Sequence, residues 1–321
     1  MRSRPSCSQA FQTATISDPM QADPGPIKAR AKINLYLHVT GRREDGLHAL
    51  DSLFVRAGIA DRLWLAHADA DSLDVSGPFA AALADEDSRD NLVMRAVDVV
   101  RRKMDHRGAF RVHLEKNLPV ASGIGGGSAD AAAMLKAVAR LIGGPEDLNP
   151  IAQTLGADVP PCLSEQPILV SGIGEVIRTA PQLPSAAMVL VNPGRPLSTP
   201  QVFGERSGDF SAADPLEARL AGFDDLVREL ARRSNDLEEA ACRLEPLIVE
   251  VLDALRRQRN IGLARMSGSG ATCFGLAATL HQAQAVAARL RDLHPDWWIV
   301  ATEMVTGAAS LGNDKPINGQ L

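Results

Sequence analysis

Aromatic side chains are scarce in this chain, 4% of 321 residues. That scarcity excludes a stacking platform for single-stranded nucleic acid and an aromatic belt at a membrane surface. An excess of one charge is missing too: the formal net charge is only −5, which gives no electrostatic footprint for a polyanion. No apolar run reaches the roughly 18 residues needed to cross a bilayer. The four cysteines, Cys7, Cys162, Cys242 and Cys273, lie far apart with no metal-ligand spacing. They read as reduced, mostly buried thiols of a cytoplasmic protein. Carboxylates show no ligand spacing either, so no protein-held metal site is expected. With nucleic acid and membrane set aside, the partner to expect is a small molecule.

What is present is a chain 45% hydrophobic, long enough for two domains. Residues 1–26 lack periodicity and an apolar signal core, and are expected to be a disordered tail or to precede a true start at Met20; 309–321 are expected to fray likewise. Between them the reading is strand-rich first and α+β afterwards, dividing near residue 165 into units 27–165 and 166–308. IKARAKINLYLHV alternates apolar and polar residues over thirteen positions, predicting a half-buried strand with Lys32 and Asn34 on one face. HALDSLFVRA, DRLWLAHA and SLDVSG read as further short strands, most simply an antiparallel meander. A helix is expected over 91–104, capped by Asp90 or Asn91, then a strand over 109–115. Later segments predict a hairpin about Gly172 and Gly174, a buried strand in AAMVLVNPG and a helix opening at Thr199. Residues 234–258 read as one long helix bent at Pro246. Strands at 261–266 and 271–277 about a GSG turn, a helix over 280–293 and a last strand complete the pattern.

The stretch PVASGIGGGSADAAAMLKA, residues 119–137, carries the most chemistry. A strand runs into a glycine loop and then into a helix expected from about Ala129 to Ile142, with Ser128 in the N-cap position and Leu141 on the apolar face. Gly123, Gly125, Gly126 and Gly127 let the backbone approach a ligand. The helix beyond offers free N–H groups and a positive dipole end to an anion. Two familiar phosphate loops are excluded. A Walker loop needs a lysine that first appears here at Lys136. The dinucleotide fingerprint fails because position 128 is serine. Three consecutive glycines are entropically expensive as a mere connection, so the loop is expected to cradle phosphate.

These motifs resemble those of the GHMP kinases, small-molecule kinases of galactose, homoserine, mevalonate and phosphomevalonate. LPVASGIGGGSADAA is similar to their second motif and RMSGSGATCFGL, 265–276, to their third. AKINLYLHVTGRREDGLHAL, GADVP and STPQVF resemble, in order, the subfamily whose alcohol acceptor is a cytidine diphosphate-linked methylerythritol. The likeness spans roughly residues 27–305. It implies a two-domain α+β fold with the active site in the inter-domain cleft, ATP with Mg²⁺, and phosphoryl transfer to the acceptor's 2-hydroxyl by a monomer or homodimer. Under that resemblance Asp158 would take the alcohol proton, and Lys32 would counter charge on the transferring phosphoryl group. Pro119, Val120, Ala121, Ser122, Gly123, Ile124, Gly125, Gly126, Gly127, Ser128 and Ala129 would bind the nucleotide. Asn34, His48, Thr199, Phe203, Gly268, Ser269 and Gly270 would meet the acceptor. The residues themselves also allow plainer roles: Asp158 as a turn aspartate, on backbone expected to be irregular because Val159, before Pro160, is barred from helix; Lys32 as a solvated strand lysine; Phe203 in a core; Gly268 and Gly270 in a tight hairpin. At the cytidine end the subfamily pattern is Tyr-His, where this chain has Leu47-His48 and so lacks one aromatic face. Another GHMP acceptor, a decarboxylase of the same fold and a non-catalytic binder are the alternatives.

Overall fold

A computed structural model describes residues 25–217 and 219–307. The expected tails, apart from Gly25 and Pro26, and the reading of Cys7 lie outside the described residues. Cys162 and Cys273 are buried free thiols, and Cys242 is partly buried.

The first half is built on β1 (Ile27–Arg42) and β2 (His48–Ala68), paired antiparallel from Arg42–His48 to Ile27–Leu63. HALDSLFVRA and DRLWLAHA are thus one strand of 21 residues, because β1 templates its whole length. Gly58 lies at the join, where a Cβ would stand 2.9 Å from the Thr302 hydroxyl. The absent side chain lets the last strand cross there. β3 (Ser72–Ser76) does not continue a meander: it runs parallel to β4 (Ala109–Glu115), and β4 intervenes between it and β2. β1 is buried on both faces from Ala31 to Val39, not on one.

Helices α1 (Leu92–Lys103) and α2 (Gly126–Ile142) cover the β2–β4 sheet. Asn91 caps α1, accepting from Val93 N–H at 3.0 Å. α2 ends at Gly143, in the left-handed region at φ 71°. Its Met134, Leu135 and Val138 are fully buried against Phe110 and Val97, whereas Leu141 is exposed. After α3 (Asn149–Gln153) comes a 3₁₀ turn, Pro160–Leu163. Val159 before it is right-handed helical at φ −77°, ψ −44°, so the constraint from Pro160 is overridden by the Val159 N–H bond to the Gly156 carbonyl.

The hairpin β5 (Ile168–Gly172)–β6 (Val176–Thr179) pairs with β2. The second half places β7 (Ala187–Asn192) beside β9 (Cys273–Ala277) and β8 (Leu263–Met266), with α4 (Thr199–Glu205), α5 (Phe223–Ala231), α6 (Glu238–Leu244), α7 (Leu247–Arg256) and α8 (Leu280–Leu293) around them. The expected long helix is two: Glu245 is extended, and Pro246, with no N–H to donate, starts a new segment rather than bending the old one. β10 (Trp298–Val305) pairs with β7 through six residues and with β2 at Ala57 and Arg56. That single strand joins both halves into one ten-stranded sheet. A third apolar cluster, including Ile33, Tyr36, Leu53 and Phe274, packs across the junction. It takes in Ala31, Ile33 and Leu35 of β1 together with Tyr36 from the strand's polar set.

Candidate active site

A cleft of about 470 Å³ opens where β1, the 119–128 loop, residue 158 and the 197–203 and 268–269 segments converge. Lys32 and Asn34 reach it from β1, two residues apart as the strand period requires. The Lys32 ammonium donates to the Asp158 carboxylate at 3.1 Å and lies 4.4 Å from the centre of the Phe54 ring. Lys32 is buried while Asp158 is 58% exposed at its side chain, so the carboxylate is oriented from below yet open to a reactant above. Asn34 donates to Ser52 Oγ at 2.9 Å, and its backbone N–H to Ser267 Oγ at 3.1 Å. Its Oδ1 is buried without a partner, an acceptor awaiting a donor.

The glycine loop is shaped by what lies under it. Gly125, left-handed at φ 62°, is the N-cap of α2, and a Cβ there would sit 3.1 Å from Lys32 Cε. Ser128 is therefore the third residue inside the helix rather than its cap, and its hydroxyl is left for other work. The first intrahelical bond runs from Ala129 N–H to the Gly125 carbonyl at 2.8 Å. The amides of Gly126, Gly127 and Ser128 precede it, at the helix's positive end. Nine of the expected loop residues line the cleft; Ile124 and Ala129 instead bury their side chains in core.

The loop also meets the second glycine loop backbone to backbone. Ser122 accepts from Thr272 N–H at 3.0 Å, and Gly123 accepts from Ser267 Oγ at 3.2 Å. A Cβ on Gly123 would stand 2.5 Å from the Ser267 carbonyl oxygen, and one on Gly268 2.7 Å from that of Gly123. Gly268 and Ser269 line the cleft, and Ser269 Oγ lies 2.7 Å from Thr199 Oγ1. Gly270 faces Met266, Ile248 and Leu197 behind it. Phe203 lines the cleft but His48 does not; His48 stacks on Phe203, ring centres 4.9 Å apart at 21°. Burial first, then Arg42 and Arg206, pull the His48 pKa down. Leu47 is half exposed and supplies no second face.

Sequence reasoning missed two groups here. Asn235 holds the second glycine loop, donating from Nδ2 to the carbonyls of Met266 and Gly268, both at 2.8 Å. Beneath the first loop, Lys116, Asp61 and Asp130 form a buried cluster. Lys116 donates to Asp61 and, at 2.7 Å, to Asp130, while Asp61 accepts from the amides of Asn117 and Leu118. Two carboxylates share one ammonium. Burial pushes Asp130 up to about 8 against the pull of Lys116, with the Asp61 charge adding to the rise. Burial draws Lys116 down, but the two carboxylates outweigh it and raise it. The readable signal was an aspartate in line with Met134 and Val138 on an otherwise apolar helix face.

Among the described residues no group of three or more His, Cys, Asp or Glu side chains could hold a metal ion. No described helix is long and apolar enough to cross a membrane.

Family models for the GHMP kinases N terminal domain and the GHMP kinases C terminal match residues 91–166 and 216–296. A 4-diphosphocytidyl-2-C-methyl-D-erythritol kinase of Paramagnetospirillum magneticum is 48% identical over 283 residues, 87% of this chain and 98% of that protein. Its counterpart from Rhodospirillum rubrum is 49% identical over 284 residues, covering 88% and 93%. A crystal structure of 4-(cytidine 5'-diphospho)-2C-methyl-D-erythritol kinase superposes with a TM-score of 0.73 at 35% identity, over 88% of this chain and all of the other.

Proposed function

This chain belongs to the GHMP kinases and, within them, to the 4-diphosphocytidyl-2-C-methyl-D-erythritol kinase family, and from that premise we propose that it transfers the γ-phosphoryl group of ATP to the 2-hydroxyl of 4-diphosphocytidyl-2-C-methyl-D-erythritol. The observation that carries the reading is the Lys32–Asp158 pair, 3.1 Å apart at the mouth of a cleft that also holds the α2 N-terminus.

In the proposed step the acceptor's 2-oxygen bonds to the γ-phosphorus as the bond to the β–γ bridging oxygen breaks. ADP leaves, and the alcohol proton passes to Asp158. The exposed carboxylate suits that role, and Lys32 keeps it oriented while countering charge on the moving phosphoryl group. The amides of Gly126, Gly127 and Ser128 cradle the nucleotide's phosphates. Leu83, Leu92 and Leu114, also on the cleft wall, give the adenine an apolar seat. The unpartnered Asn34 Oδ1 accepts from a hydroxyl of the methylerythritol. Thr199, Ser269 and Gly268 flank the acceptor, and the cytosine packs on Phe203 beside His48.

Mg²⁺ would be held mainly by the nucleotide, with the Ser128 hydroxyl on the cleft wall as a protein oxygen donor to it. It would supply further charge neutralisation on the phosphates. The domain boundary we place near residue 165, and the enzyme we take to act in the cytoplasm as a monomer or homodimer.

An ADP-release assay tests the reading with 4-diphosphocytidyl-2-C-methyl-D-erythritol, mevalonate, homoserine and galactose as acceptors. The cytidyl substrate should exceed the others by at least about 10²-fold in kcat/KM, since buried polar groups reject acceptors that leave them unpaired. Comparable turnover of any other acceptor would overturn it.

A further inference from the structure

A second cavity, about 140 Å³, lies between the start of β1 and the flank of α2, away from the cleft. Lys28, Arg30, Arg56, Lys136 and Arg140 line it, with Glu165 as the one carboxylate. Leaving Lys28 aside, four cations face that one anion in a small space.

The details agree. Arg56 is 4% exposed, yet its partners are the carbonyls of Arg30, Pro161 and Ser164 and the Cys162 thiol rather than carboxylates. Glu165 is shared between Arg30 and Lys136 at 3.4 Å each, longer than the roughly 2.7–2.9 Å of a well-made charged hydrogen bond. Arg30 Nε is buried with no partner at all. Burial, and then Arg56, pull Lys136 down despite Glu165, while burial, Arg30 and Arg62 pull Lys28 down. The cavity is large enough for several waters or one tetrahedral oxyanion.

We propose that this cavity binds a small phosphoryl oxyanion, free phosphate or the end of a diphosphate, held by Arg30, Lys136 and Arg140 in competition with Glu165. Guanidinium and ammonium groups converging on one pocket recognise phosphoryl oxygens through charged hydrogen bonds. Glu165 stands in weakly for that ligand. Because the same segment, 158–165, carries Asp158 at one end and Glu165 at the other, an anion here sits seven residues from the reaction without entering its cleft.

The test is isothermal titration of the full chain, its nucleotide cleft saturated with ADP, using inorganic phosphate in one arm and inorganic diphosphate in the other. The expected result is one saturable site in at least one arm, and the arm that saturates identifies the ligand's form. Lys136→Met with Arg140→Ser should weaken that site about tenfold or more with ADP affinity unchanged, while Glu165→Gln should tighten it by about threefold or more, by removing the competing charge. The tightening is a result that a merely disturbed fold would not give. No saturable binding in either arm, or binding indifferent to all three substitutions, would overturn the proposal.

Discussion

Gly123→Ala and Gly127→Ala make the same chemical change four residues apart in one glycine-rich run, and they should behave oppositely. At Gly123 the backbone is left-handed at φ 76°, and the new methyl would meet the Ser267 carbonyl oxygen at 2.5 Å and the Gly270 amide nitrogen at 2.6 Å. Those atoms are backbone of the second glycine loop and cannot swing aside. Left-handed geometry costs an alanine about 1–2 kcal/mol, and overpacking about 1–3 kcal/mol more. The expected loss is therefore roughly 2–5 kcal/mol. At Gly127 the nearest neighbour is a flexible end, Leu92 Cδ1 at 3.7 Å, and the residue lies within α2. Alanine there should gain up to about 1 kcal/mol of helix propensity. Thermal unfolding of the unliganded protein reads both: Gly123→Ala should lower Tm by at least about 3 °C, Gly127→Ala should hold or raise it. Equal shifts, or a Gly123→Ala variant within about 1 °C of wild type, would refute the loop-against-loop account of this glycine.

Two further outcomes follow from the site. Phe203→Ala should raise KM for the cytidyl substrate about 5- to 150-fold, the range that loss of one base-stacking face allows, while KM for ATP stays within about twofold. Equal rises in steady-state assays would assign the ring to the core cluster it also touches. Asp130→Asn addresses the buried cluster. The folded protein holds the Asp130 proton to about pH 8, whereas the unfolded chain releases it near the ordinary 3.8. The folded state thus binds more protons across that interval, and wild-type stability falls as pH rises through it. The asparagine variant cannot ionise, so urea midpoints measured from about pH 5 to pH 8 should fall less steeply than wild type; parallel profiles would contradict the buried, protonated carboxylate.

Local rules made much of this molecule legible. Alternation located β1 and put Lys32 and Asn34 on one face, and the glycine run before an alanine-rich segment located α2, three residues short of its true start. What failed were inferences needing a partner distant in sequence. The polar residues of β1 implied a solvated face, but the second half of the chain closes over it, with Ser267 against Asn34 and Ser234 against His38. The 58–60 stretch read as a break between two strands, whereas β10, arriving some 240 residues later, is what requires the missing side chain of Gly58. Ser128 had the residue type of a cap, yet Gly125 takes the left-handed turn three residues earlier, over Lys32. Asp61, Lys116 and Asp130 come from three separate elements, and only the last stood out as a charge on an apolar stripe. The cation-rich cavity draws its members from β1, β2, α2 and the segment after Asp158, a grouping that only the fold creates.

The most direct test of phosphoryl transfer through Lys32 and Asp158 is kcat for ADP release by Asp158→Asn with the cytidyl substrate. The Asp158 side chain is exposed, but its one ion pair is to the buried Lys32, so the variant should stay folded with a Tm a few degrees lower, the asparagine oxygen still accepting from the ammonium. Loss of a general base predicts a fall of about 10²- to 10⁴-fold, roughly 2.7–5.4 kcal/mol of barrier, with KM for ATP little changed. Turnover within a few-fold of wild type, in a variant still folded at the assay temperature, would contradict the assignment.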